Sequence, residues 1–137
     1  MKTKTTVYWI CTALVALSFL SGGIANVLHV PQAVAGMIRL GYPLHFLTLL
    51  GVWKILGAGV ILAPGLPLLK EWAYAGMIFD LTGASIAHAA VGDSDAWQSN
   101  TGHVLIPLAL AALAIASWSL RPDSRKLIRT DVKTVAA

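Results

Sequence analysis

Charge is scarce in this 137-residue chain: Asp, Glu, Lys and Arg together make up 12%, against ~25% in an ordinary soluble domain. Hydrophobic residues make up 57%, and the mean hydropathy is +0.74. These values exclude a disordered chain, a nucleic-acid module and a common cytosolic enzyme. Cysteine is nearly absent. Cys11 stands alone, so no disulfide framework and no C-x-x-C exist, and thiol–disulfide exchange within one subunit is excluded. Its apolar surroundings predict that Cys11 packs as a small hydrophobe. The chain also lacks G-x-S-x-G, a Walker loop, G-x-G-x-x-G and H-E-x-x-H. No cofactor motif replaces them, and the residues leave open whether the protein is an enzyme.

What is present is four apolar stretches, at about 7–28, 44–63, 72–91 and 104–120. Each is near the ~20 residues needed to cross a hydrocarbon core of ~30 Å. Backbone groups in lipid must be satisfied within the segment, and the stretches show no strict alternation, so helices are expected rather than a barrel. The expected fold is all-α: one integral membrane domain over residues 1–137, a bundle of four transmembrane helices. Lys2 and Lys4 followed by an apolar run resemble the start of a signal peptide, but the run is too long for one and is taken as the first span. Between the first two spans, Val34, Met37 and Ile38 recur at helical spacing, with Pro31 suited to a helix start and Gly41 to its end. A short helix on the membrane surface and an irregular loop both fit that segment.

Basic residues set the expected orientation. With the N-terminus in the cytoplasm, Lys2, Lys4, Lys70, Arg121, Arg125, Lys126, Arg129 and Lys133 all fall inside, and only Arg39 falls outside. The third connection carries Asp93 and Asp95 and no basic residue. Both termini are therefore expected in the cytoplasm, with Trp9, Trp72 and Trp118 at the inner interface. Residues 121–137 are expected to form a basic tail, each basic residue worth about 1 kcal/mol against anionic headgroups.

Two ionisable residues interrupt the spans. Lys54 and Asp80 would each cost roughly 2.5–3.5 kcal/mol unpaired at a helix centre. Counting inward at 1.5 Å per residue puts Lys54 about 15 Å from the outer face and Asp80 about 12 Å from the inner one, both near the midplane. The helices are consecutive and joined by a short Pro64-Gly65-Leu66-Pro67 turn, so they are expected to be antiparallel neighbours with the two charges paired. Gly51, Gly57, Ala58, Gly76, Gly83 and Ala84 surround the pair and would allow close helix approach. The pair fits a structural lock on helix register equally well as a site for an anionic headgroup, a quinone or a proton. Asn26, Thr48, Thr82 and Ser85 could extend a polar network from it, or serve as separate helix–helix hydrogen bonds.

All four histidines, His29, His45, His88 and His103, are expected at the outer boundary. Histidine ligates metals and haem, so convergence on a metal would be chemically sensible. No two have the H-x-x-x-H spacing of a metal site, and interfacial roles fit as well.

The strings Leu40-Gly41-Tyr42-Pro43, Leu50-Gly51-Val52-Trp53-Lys54-Ile55-Leu56-Gly57, Lys70-Glu71-Trp72-Ala73-Tyr74-Ala75-Gly76 and Phe79-Asp80-Leu81-Thr82-Gly83-Ala84, followed by His88, resemble the DoxX-like family of small bacterial membrane proteins. The resemblance runs from the first span into the fourth and implies a four-helix membrane fold in the bacterial inner membrane. The family's lysine and aspartate map onto Lys54 and Asp80, and its histidine onto His88. The wider group includes a subunit linked to thiosulfate:quinone oxidation and members tied to oxidative-stress complexes. The expected function is an accessory or ligand-binding membrane subunit with a site at Lys54, Asp80, His88 and Asn26. Its expected partners are the lipid bilayer, a quinone or lipid-like ligand, and another membrane protein. The alternatives are a small transporter or proton conductor, and a quinone-linked oxidoreductase subunit.

Overall fold

The computed structural model describes residues 1–92 and 97–127, with 97–101 as backbone only. Asp93, Asp95, Arg129 and Lys133, which enter the charge pattern, lie outside the described residues. Five α-helices account for most of the chain: α1 (Lys2–Val27), α2 (Pro31–Arg39), α3 (Leu44–Leu62), α4 (Pro67–Val91) and α5 (Trp97–Ser119), followed by a 3-10 turn at Asp123–Arg125. No strand occurs among the described residues. Helices α1, α4 and α5 begin several residues before the apolar stretches that predicted them, because polar residues at the mouth of a helix continue its hydrogen-bond ladder.

The segment after α1 is a helix and not an irregular loop. Pro31 stands at its start, where a missing N–H costs nothing. At its end Gly41 takes φ +79°, while the Tyr42 and Gly41 amides donate to the Met37 and Ile38 carbonyls. That is a Schellman closure. The end of α1 closes the same way, with the Val30 and His29 amides donating to Ala25 and Asn26, but here the left-handed residue is His29, at φ 52°.

The long helices form a ring in which α1 packs on α3, α3 on α4, α4 on α5 and α5 back on α1, while α2 rests on α3 and α1. The core is built from Val15, Ala16 and Phe19 of α1, Ala58 and Ile61 of α3, Tyr74, Met77 and Leu81 of α4, and Ala111 and Ala114 of α5. Cys11 is buried as expected. Outward faces are apolar too: Leu17, Trp53, Phe79, Ile86 and Ile106 are all exposed. This is the pattern of helices apolar all round. Among the described residues, three helices are long and apolar enough to cross a membrane: Lys2–Val27, Leu44–Leu62 and Gly102–Ser119. Helix α4 is long enough, at 25 residues, but is not one of the three; Asp80, His88 and its small residues dilute its apolar character.

At the end of the ring that carries the α3–α4 turn, several basic residues fold back onto the helices. Lys70 is fully buried and its ammonium donates to the carbonyls of Ala63 and Gly65. It thereby closes the α3–α4 turn, where Gly65 and Leu66 are both left-handed, at φ 66° and 55°. Burial, then the neighbouring charges of Arg125 and Arg121, pull the Lys70 pKa below its ordinary value. The Arg125 guanidinium donates to the Ile61 and Leu62 carbonyls and to the Tyr8 hydroxyl, and lies 4.6 Å from the Trp9 ring. Two cations thus cap the exposed carbonyls at the end of α3, where the helix dipole favours positive charge. Arg121 is buried against Glu71 and the Tyr74 ring, and Trp118 also donates to Glu71, at 2.7 Å. Deeper in, Ser117 joins Thr12 and Tyr74 through two hydrogen bonds of 2.7 Å. This network ties α1, α4 and α5 together.

Candidate functional site at the Lys54–Asp80 pair

Lys54 sits mid-helix in α3 and Asp80 mid-helix in α4. Their side chains meet: Lys54 Nζ is 3.6 Å from Asp80 Oδ2. The Phe19 ring of α1 lies 5.9 Å from the same ammonium, so the cation has an anion on one side and an aromatic face on another. Neither side chain is sealed, with fractional exposures of 23% and 18%.

The backbone under Lys54 is held by a very close helix crossing. A Cβ on Gly23 would meet the Gly51 carbonyl oxygen at 2.9 Å and the Lys54 Cβ at 3.1 Å; one on Gly51 would meet the Gly23 oxygen at 2.7 Å. This corrects the expected use of the small residues. Gly51 lets α3 approach α1, not α4. On α4 a Cβ at Gly76 or Gly83 would meet no atom within 4 Å. Of the glycines on α3 and α4, Gly57 faces across their seam, towards Met77.

Because α3 and α4 touch sparingly, their seam is open beside the pair. A groove of about 400 Å³ is lined by Phe19, Trp53, Lys54, Trp72, Gly76 and Asp80, among others. Trp53 and Trp72 are well exposed on the outer face of the ring, so the groove opens sideways from the bundle. A second cavity, of about 310 Å³, is lined by Met37, Tyr42, Phe46, Leu50, Asp80 and Gly83 among others. It lies toward α2, and the two share Leu50 and Asp80. Chemically, the site offers a cation and an anion side by side at the bottom of an apolar groove. It can hold an amphiphilic molecule by its polar group.

The other residues singled out by sequence go elsewhere. Asn26 is buried at the α1–α3 crossing against Gly51, away from Asp80's cavities. Thr48 bonds His29 at 2.7 Å, Thr82 bonds the Ile78 carbonyl of its own helix, and Ser85 bonds the Val104 carbonyl across to α5 at 3.0 Å. None of these three extends the pair. His88 faces α5, its ring stacked 4.9 Å from that of His103. His45 is exposed at the start of α3. The four histidines do not converge, and no cluster of three metal-ligating side chains occurs among the described residues. The residues that sequence reasoning missed are Thr12, Tyr74 and Ser117. Their similar distance from the same end of three helices was the available signal for them.

A family model described as the DoxX-like family matches residues 10–117. No curated protein and no solved structure matches the chain.

Proposed function

The chain belongs to the DoxX-like family and is a membrane protein; from that premise we propose that it is a four-span accessory protein which binds a lipid-like molecule in the groove between α3 and α4. In this reading α4 from about residue 72 onward is the third span, and the Lys54–Asp80 ion pair offsets the cost of the two charges it brings together at the midplane. The observation that carries the proposal is the placement of that pair. A purely structural lock gains most from being sealed against other helices, whereas this pair lines a groove of about 400 Å³ that opens sideways from the bundle. That volume lies within the ~300–1,000 Å³ of small-molecule sites, which combine apolar walls with a few placed polar groups. The excess of basic residues at the α3–α4 turn and after α5 supports cytoplasmic termini in a bacterial inner membrane. A periplasm-active reporter fused after Ala137 should accordingly stay silent.

The test is mass spectrometry of small molecules retained after gentle detergent extraction. The wild-type chain should carry an amphiphile, a quinone being one such molecule, that the Lys54→Met/Asp80→Leu double variant does not. Equal retention by a well-folded double variant would rule out the pair as the binding site.

A further inference from the structure

Two cavities flank the ion pair, one lined by both Lys54 and Asp80 and the other by Asp80 alone of the two. They share Leu50 and Asp80 as a common wall, one running toward Leu69 and Trp72 near the start of α4, the other toward Gly83 and Ala87 beneath α2. From Leu69 to Ala87 is about 27 Å of helix at 1.5 Å per residue, nearly the ~30 Å thickness of a hydrocarbon core. The α3–α4 seam is therefore open on both sides of the midplane, with the charges at its waist. Gly76 and Gly83 lie on that seam on either side of Asp80, and a Cβ on either would touch nothing. Glycine inside a helix costs roughly 0.5–1 kcal/mol relative to alanine, and at these positions helix packing gives nothing in return. What their absent side chains do provide is clearance along the seam.

We infer that the seam is a passage by which a single-chain zwitterionic amphiphile moves its headgroup between the two halves of the membrane, pausing at Lys54 and Asp80. The inference rests on the groove being a binding site. A polar headgroup crossing hydrocarbon loses its water at the midplane, which is where this protein offers a cation beside an anion. A zwitterion can give each of them an opposite charge: its phosphate faces the Lys54 ammonium and its own ammonium faces the Asp80 carboxylate. A singly charged headgroup would satisfy one and leave the other opposed, so the pair selects for a zwitterion. Size selects as well. A helix of a partner protein is about 10–12 Å across and does not fit cavities of about 400 and 310 Å³. Both volumes are at the small end of ligand sites, which favours one chain over two.

The experiment uses the full chain reconstituted in phosphatidylcholine vesicles that carry NBD-labelled lysophosphatidylcholine in both leaflets. External dithionite bleaches the outer label only, so protein-free vesicles keep roughly half their fluorescence. With the wild-type chain nearly all should be lost within minutes, while NBD-glucose trapped in the lumen stays bright. Gly76→Leu and Gly83→Leu fill the inner and outer cavities separately, and each should return the signal toward the protein-free level. Vesicles that stop at half with the wild-type chain, bleaching of the trapped NBD-glucose, or undiminished crossing in both leucine variants would each overturn the passage. Energy transfer to the same probe in detergent, from a variant that keeps Trp53 and Trp72 but has Trp9→Phe, Trp97→Phe and Trp118→Phe, and counted only where excess unlabelled lysophosphatidylcholine abolishes it, separates the two readings. Transfer without crossing leaves the groove as a binding site and removes the passage; neither transfer nor crossing removes both.

Discussion

Gly23 and Gly51 bring the backbones of α1 and α3 into contact, so close that a Cβ on Gly51 would lie 2.7 Å from the Gly23 carbonyl oxygen. Lys54 follows Gly51 by one turn and is therefore carried on the most tightly fixed part of the ring, while Asp80 faces it from a helix with open space on either side. One wall of the groove is thus set by the α1–α3 crossing, and the other by α4, which packs on α5.

That contact predicts an asymmetry among the glycines of α3. Gly51→Ala should lower the thermal stability of the detergent-solubilised protein by about 1–3 kcal/mol, because the clash is with backbone that no rotamer can relieve. Gly59→Ala, where a Cβ meets no atom within 4 Å, should leave stability equal or slightly higher. Thermal melts of the two variants side by side check it.

The ion pair predicts a coupled response. Lys54→Met alone leaves the Asp80 carboxylate without its cation, and Asp80→Leu alone leaves the ammonium without its anion. Each should cost about 2.5–3.5 kcal/mol, the insertion cost of an unpaired charge at a helix centre. The double variant removes both charges and should lose less than the sum of the singles, a difference that a double-mutant cycle reads directly. Strictly additive losses would mean that the two groups do not interact.

The α3–α4 turn depends on a single side chain. Lys70→Met leaves the carbonyls of Ala63 and Gly65 without the donor they have here, at roughly 0.5–1.5 kcal/mol for each hydrogen bond lost. Leu66→Gly should act in the opposite direction by relieving a left-handed non-glycine residue, a gain of about 1 kcal/mol. Proteolysis at this turn should be faster than in the wild type for the first variant and slower for the second.

Acid should loosen the end of the ring that holds Glu71. Burial alone would raise the Glu71 carboxyl, but hydrogen bonds from Trp118 and Arg121 and the charge of Arg121 outweigh it and hold its pKa below the ordinary 4.5. A carboxylate with a depressed folded pKa contributes stability that is fully present above its unfolded pKa and is lost as pH falls through the folded one. Melting temperature should therefore drop on acidification below about pH 4.5, and Glu71→Gln should show a smaller drop from a lower starting value. An identical acid response in the variant would assign the effect to other carboxylates.

Much of this protein was legible in its sequence. Long continuous apolar runs cross lipid as helices, and their spacing placed α1, α3 and α5 and the antiparallel turn at Pro64–Pro67, while the segment closed by Gly41 stayed open between helix and loop until its packing on α3 decided it. The meeting of Lys54 and Asp80 followed from counting residues along two consecutive helices, because the rise per residue is fixed and the turn between them is short. Rotation about a helix axis is not set by such counting, and every feature that depended on it came from tertiary packing. Gly51 turned toward α1 because Gly23 was there to receive it. His88 turned toward His103 and away from the face of Asp80. Arg121 and Arg125, which charge alone assigns to the membrane surface, folded back because Glu71 and the unsatisfied carbonyls at the end of α3 lie within their reach. The groove itself exists because the glycines of α4 met no partner helix. A sequence determines which groups must find partners and at what depth; the facing of each helix, decided by all its neighbours at once, determines which partners they find.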